Sequence, residues 1–583
     1  MPDLLVAAGA VLAFLAFHAV RGFPTLADSN GDNDSLLRLV QVRDLLSGQG
    51  WFDPTQYRMG LDGGFAMHWS RLIDLPVALL VTAFGENAAR VIWPLLLLFA
   101  CLLLVIRTAR LLAGPDALLP AAVTGFLALY FVNVFAPGAL DHHNAQLALV
   151  LLAAHALASA VSSGNPSPGR HGAAAGLAAA LMLAIGMEAA PYAAVACAVA
   201  AIAYLHGTDR GNSIARGFGL AFAATGSAVF VATIPVREWL AVHCDAFSLP
   251  QGSLAVVGGA GLALAATVPA LNRSLPVRLA ASAALAAVVA VLAVTVFPQC
   301  LGDPFVDLDP VLRRYWLSAV AEAQPVTALL RDGDYGTLAG YYITPLIALG
   351  FLVLRLARGE RSPQVLVAGT FLAAAVLVSF WQVRGGVFSV PLAAIVLSAW
   401  IAGARARAAA GTGIGAQLSM VAAWLVSIGL VWQSAVVAVL PTGSSAAASA
   451  NEPVASACYR LADYDGLAAL PRGTVLAVSN LGSSILHQTP HRVLNGPYHR
   501  NNAGNRAALD ILMGPPDEAR AAIRELGIDY VLVCPGNAET KALSRWAPDG
   551  LLANLVGGTA PDWLAPVAMA EGLSFVVSRP TSP

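Results

Sequence analysis

Apolar runs of about twenty residues recur along the first 440 positions, separated by short polar stretches. A helix needs roughly 20 apolar residues to cross ~30 Å of hydrocarbon. By that measure the runs predict about thirteen spans, at 4–20, 89–106, 117–135, 145–162, 173–187, 189–206, 215–235, 252–271, 277–297, 338–357, 364–380, 386–402 and 417–440. The shorter run 73–84 is expected as an interfacial or loop helix. The first run opens Met-Pro-Asp, with no basic segment ahead and no small-residue cleavage site behind, so it is expected to remain as an anchor. After residue 440 the pattern changes. Residues 441–457 are rich in Ser and Ala and read as a linker. Beyond them TVLAVSN and DYVLVC are short β-type runs, and PDEARAAIRELGI has helical amphipathic spacing. A membrane domain at 1–440 and a small α/β domain at 458–583 follow.

Charge placement orients this map. With the N-terminus in the cytoplasm, the inner loops hold Arg107/Arg110, Arg170, Arg210/Arg216, Arg273/Arg278, Arg355/Arg358/Arg361 and Arg405/Arg407. Positive charge in short inner loops is the rule for polytopic proteins. The acidic or mixed segments 21–88, 136–144, 236–251 and 298–337 then lie outside, as does everything after about residue 441. A bacterial inner membrane with an extracytoplasmic C-terminal domain is the expected location.

Composition agrees. Only 11% of residues are charged and 57% are hydrophobic, too few charges for a water-soluble surface. The net charge of −1 excludes a global basic field for nucleic acid. The six cysteines show no zinc-type spacing. Cys458 and Cys534 can form a disulfide if their region is extracytoplasmic.

Four polar groups collect on the outer side. In the first loop, Asn33 and Asp34 precede a helical run, and Asp34 is read either as a helix cap or as a carboxylate aimed at a reaction centre. Asp141, His142 and His143 stand where one span ends and the next begins, either as a polar turn or as a metal site, with Asp141 and His143 the better-placed pair. Glu322 lies in AVAEAQP, either as a partner for Arg313 or Arg314 or as a site residue. Arg384, flanked by glycines in the short connection FWQVRGGVFSVP, breaks the inside bias and suits phosphate. Glu188 is similarly placed at an outer helix end.

Taken in order, these features resemble the catalytic subunit of oligosaccharyltransferases, within the GT-C glycosyltransferase superfamily. The carriers are Asn33-Asp34 with Arg43-Asp44 nine residues on, the DHHN segment at 141–144, SAVAEAQP at 318–325 and the late Arg384. The resemblance implies a polytopic α-helical GT-C-like fold with a C-terminal extracytoplasmic α/β domain. It implies transfer of a sugar or oligosaccharide from a polyprenyl phosphate or diphosphate. By resemblance Asp34 is catalytic and binds metal, Asp141 and His143 are metal ligands, and Glu322 orients the acceptor. Arg384 holds the lipid-linked phosphate, and His142 is grouped with the substrate-binding residues. The implied cofactor is a divalent cation, manganese or magnesium, with zinc as an alternative. The family's W-W-D-Y-G peptide motif is absent, and at a comparable place stands a segment with His487, His491, Tyr498, His499 and Arg500. His487, Tyr498, His499 and Arg500 are therefore candidate substrate contacts or, equally, residues of a surface loop. The acceptor stays open among glycan, lipid and protein. A transporter or flippase, and an inactive envelope-assembly protein, are the alternative readings.

Overall fold

The computed structural model describes residues 1–303, 305–411, 413–440, 458–569 and 573–581, so the expected linker 441–457 lies outside the described residues. Helices fall in every apolar window. Among the described residues ten are long and apolar enough to cross a membrane, or eleven if Ile414–Val426 and Gly429–Val439, bent by 81°, form one broken span. The expected thirteen also included Leu118–Phe131 and Pro168–Ile185. Leu118–Phe131 has 14 residues, about 21 Å of helix and short of the hydrocarbon thickness. Pro168–Ile185 opens on the polar turn Pro-Gly-Arg-His-Gly, which lowers its mean hydropathy.

Packing explains how Pro168–Ile185 stays in the bundle despite that polar start. Gly172 and Gly176 lie one turn apart on one face. A Cβ on either would collide with the carbonyl oxygen of Ile214 or Phe218 in helix Asp209–Thr233. Small residues at that spacing let two membrane helices approach backbone to backbone. The end of this helix meets His143–Val161 near Gln146, and its start meets Ser213. Pro168–Ile185 therefore runs parallel to Asp209–Thr233 and antiparallel to His143–Val161. The expected loop helix at 73–84 is present as Arg71–Phe84.

Residues after 457 form a five-stranded mixed sheet in the order Arg492–Val493, Thr474–Leu476, Tyr530–Val533, Val576–Pro580, Leu564–Pro566. The first three strands are parallel and the last two join antiparallel. Tyr530–Val533 is buried along its whole length, as its unbroken apolar sequence requires of a central strand. The sheet does not have a private core. Leu37, Val40, Met59 and Trp69 of the first outer segment, with Leu308 and Leu312, pack in the same cluster as Val475, Leu476 and Val531. Arg58 reinforces the join by donating to the carbonyls of Leu486, Thr489 and His491.

Two disulfides tie this region, Cys244–Cys300 and Cys458–Cys534, while Cys101 and Cys197 are free and lie in helices. Cys458 and Cys534 are 76 residues apart. Closing a loop of that size removes roughly 4 kcal/mol of denatured-chain entropy. A Cys458→Ser, Cys534→Ser variant is expected to lower the unfolding midpoint by several degrees. An unchanged midpoint in a calorimetric scan would contradict that contribution.

Candidate active site

The first outer helix, Asn33–Leu46, sets the geometry. Asn30 and Gly31 both adopt positive φ (49° and 83°), which turns the chain sharply just before the helix. Asp32 is the N-cap and accepts from the backbone N–H of Ser35 at 3.0 Å. The capping role weighed for Asp34 therefore belongs to Asp32, and the Asp34 carboxylate faces a cavity from the first turn. Within the same helix Arg38 is buried against Asp74 at 2.8 Å, with its guanidinium 4.3 Å from the centre of the Trp69 ring. Arg71 also meets Asp74, at 3.0 Å, so the charge of this buried carboxylate is balanced.

The other motifs are docked onto this turn by specific hydrogen bonds. Ser35 Oγ accepts from the N–H groups of Leu140 and Asp141, at 2.8 and 3.1 Å. Asp141 in turn accepts from the His142 N–H at 2.6 Å and contacts the His143 Nδ1. The Val383 N–H donates to the Gln324 carbonyl at 2.9 Å, which joins the turn of Glu322 to the turn of Arg384. Arg384 donates from Nε to Gln382 at 2.9 Å and stands 3.6 Å from Glu188. Glu188 also accepts from Gln146 at 3.2 Å and lies 3.7 Å from His142.

Two cavities meet at this cluster. A cavity of about 510 Å³ is bounded by Asp32, Asp34, Asp141, His143, Glu322 and Arg384, and its outer wall is aromatic, with Phe305, Tyr315, Trp316 and Trp546. A second, of about 400 Å³, runs between Val132, Pro137, Tyr341, Val383 and Val387 and reaches Arg90. Both are lined by Asp32, Asp141, His143, Glu322 and Arg384.

Negative charge dominates the junction. Burial, with the nearby charges of Asp141 and Glu322, pushes Asp34 up to about 8. Burial and Asp141 push Asp32 up to about 6. Against the cost of burial, the His142 and His143 imidazoles hold Asp141 well below the usual carboxylate range. Such a set fits a divalent cation. Asp141, His142 and His143 present ligand atoms within 4.8 Å of one another. The Nε2 of His143 is buried with no hydrogen-bond partner, in a residue that lines both cavities. Mixed oxygen and nitrogen donors suit manganese or zinc. Asp34 faces the same cavity but is not part of that close group.

Asp34, Asp141, His143, Glu322 and Arg384 thus lie around one site. His142 sits beneath it, its ring 6.2 Å from Trp69. Tyr498 backs it, donating to the Asn33 carbonyl at 3.1 Å and pairing with Ser483 Oγ at 2.9 Å. His499 lines the larger cavity. Arg500 does not line either cavity; its guanidinium grips both oxygens of Asp245, at 2.7 and 2.8 Å. His487 is also away from both cavities, with Arg43 donating to its carbonyl at 2.6 Å. Asp32 and the aromatic wall were not singled out from sequence. The Asn-Gly turn at 30–31 was the available signal for Asp32, because a helix starting after it takes Asp32 as its cap.

The turn carrying Arg384 is sterically fixed. A Cβ on Gly385 would stand 2.6 Å from the Ser379 nitrogen and 2.7 Å from its Cα. Gly385→Ala is therefore expected to displace the Arg384 turn and to lower the unfolding midpoint. An unchanged midpoint in a thermal scan would contradict that packing.

No family model and no curated protein matches the chain. Solved structures of the archaeal oligosaccharyltransferase from Archaeoglobus fulgidus do. Its complex with an inhibitory peptide and a dolichol-phosphate aligns at TM-score 0.63 and 14% identity, over 93% of this chain and 69% of that one. The fold is GT-C-like. The apo form of the same enzyme aligns at 0.61 and 15% identity, over 97% and 73% of the two chains. Its complex with zinc and sulfate aligns at 0.55 and 13% identity, over 95% and 69%. The likeness in fold therefore extends over both the helical bundle and the C-terminal sheet.

Proposed function

We propose that the chain is a membrane glycosyltransferase. It takes a sugar or oligosaccharide from a polyprenyl phosphate or diphosphate and passes it to an acceptor on the face where the C-terminal sheet sits. The observation that carries this reading is the meeting of two cavities at one carboxylate cluster facing an arginine. The smaller cavity has apolar walls at Val132, Pro137, Val383 and Val387 and carries Arg90 and Arg384 beside the carboxylates, which suits a lipid-linked phosphate. The other is aromatic-walled and opens beneath the sheet domain, which suits an acceptor. The archaeal neighbour with a bound dolichol-phosphate supports the lipid-linked class of donor.

In this reading the acceptor nucleophile attacks the anomeric carbon from the larger cavity. Its bond to that carbon forms as the carbon–oxygen bond to phosphate breaks, so the configuration inverts. The phosphate leaves with the electron pair, towards the Arg384 guanidinium. Glu188 and Gln382 hold that guanidinium in place. The acceptor proton passes to the Asp34 carboxylate, which burial beside other acids makes a stronger base than usual. Glu322 orients the acceptor. A divalent cation held by Asp141 and His143, with Asp34 facing it, would neutralise charge on the departing phosphate.

The sheet-bearing end is read as extracytoplasmic and the membrane as the bacterial inner membrane. Both disulfides lie at that end, in keeping with an oxidising compartment. Transport is disfavoured, because transporters place their polar site at the bilayer midplane, whereas this cluster lies at helix ends under the sheet domain. The test is transfer from a lipid-linked sugar in purified membranes. Asp34→Ala and Glu322→Ala are each expected to reduce it by about 10²-fold or more. Full transfer by both variants would overturn the reading.

A further inference from the structure

A second group of ligating side chains lies outside the cluster just described. His68 comes from the first outer segment, Asp245 from the segment 234–248, and His499 from the sheet domain. Their ligand atoms all lie within 4.8 Å of one another. His499 Nε2 is 2.8 Å from Asp245 Oδ2, and the His68 and His499 rings are 4.5 Å apart, tilted by 50° rather than stacked. Ligands held 2.0–2.1 Å from one tetrahedral cation stand about 3.3 Å apart. The His499–Asp245 ligand atoms stand 2.8 Å apart, somewhat inside that value, and all three ligand atoms lie within 4.8 Å, close enough for one cation.

Two further features distinguish the trio from an ordinary polar contact. The His68 Nδ1 is buried and has no hydrogen-bond partner. Asp245 is fixed from outside, since Arg500 takes both its oxygens and the neighbouring Cys244 is bonded to Cys300. A carboxylate has about four acceptor sites, and Arg500 uses two of them. Outer hydrogen bonds of this kind orient a metal-binding carboxylate.

We propose that His68, Asp245 and His499 bind a divalent transition-metal cation, with zinc the best match, as a staple joining the membrane part to the sheet domain. Two imidazoles and one carboxylate are borderline donors of the kind zinc takes, with water in the fourth position. The cation replaces the His499–Asp245 hydrogen bond and recruits the unpartnered His68. It shares no ligand with the Asp141 group, although His499 also lines the larger cavity, and it does not depend on the proposed transfer activity.

The test uses the full chain in detergent on an Asp141→Ala, His143→Ala background, which removes the other metal group. After loading with zinc chloride and desalting, elemental analysis is expected to find about one zinc per chain. Adding His68→Gln and His499→Gln is expected to bring it to near zero. Zinc is also expected to raise the unfolding midpoint of the background protein, and not that of the His68→Gln form. No bound zinc and no midpoint shift in the background protein would overturn the proposal, as would zinc retained without His68 and His499. Zinc content and midpoint shift of the background protein by themselves can overturn the proposal, so it stays falsifiable even where the double histidine variant folds poorly.

Discussion

Asp141→Asn is expected to lower sugar transfer by roughly 10³-fold, a loss typical of removing a main electrostatic partner of the transition state. The substitution keeps the shape and the oxygen that accepts from the His142 N–H. It removes the charge, and with it the carboxylate oxygen that contacts the His143 Nδ1. Turnover should not return to the parent level with added manganese, magnesium or zinc. Initial rates over a metal titration check this, with the unfolding midpoint as the control for folding. A parent-like rate would remove Asp141 from the site.

Arg384→Ala is expected to cost roughly 10²–10³-fold, because in the proposed reaction it removes one preorganised donor to the leaving phosphate. The defect should appear in both kcat and the KM for the lipid donor, and the KM for the acceptor should change little. Arg384→Lys should recover only part, since an ammonium lacks the planar fork that meets two phosphate oxygens. The fork is set by Gln382 and Glu188 on one side and by the packed Gly385 turn on the other. Kinetics with donor and acceptor varied separately distinguish this from loss of acceptor binding. An equal rise in acceptor KM would place Arg384 on the other side of the junction.

Much of this arrangement was legible in the chain because local physics encodes it. Twenty-residue apolar runs marked helices, and arginines marked one end of the bundle. The β-type runs TVLAVSN and DYVLVC became adjacent parallel strands. Asp34, Asp141, His143, Glu322 and Arg384 were visible because acids, histidines and an arginine at helix ends are unusual in so apolar a sequence, and the structure places them around one pair of cavities. Two of the thirteen expected runs form helices that are short (Leu118–Phe131) or polar at their start (Pro168–Ile185) and so fall below the length and hydropathy of the others among the described residues. The cap reading weighed for Asp34 belongs two residues earlier, to Asp32, since either aspartate satisfies a cap pattern and only the Gly31 turn separates them. What stayed hidden is tertiary. Asp245 and Arg500 are 255 residues apart, and no periodicity brings them together. The same holds for the aromatic wall, where Tyr315 and Trp546 approach to 5.3 Å from separate elements.

The most direct measurement follows a polyprenyl-linked sugar, labelled in both sugar and lipid, in vesicles containing the purified chain. The account predicts that the sugar–phosphate bond is cleaved, that lipid phosphate accumulates, and that the sugar appears on an acceptor with inverted configuration. It further predicts that Asp34→Ala abolishes all three. Intact lipid-linked sugar that merely changes leaflet, equally in the parent and in Asp34→Ala, would contradict it.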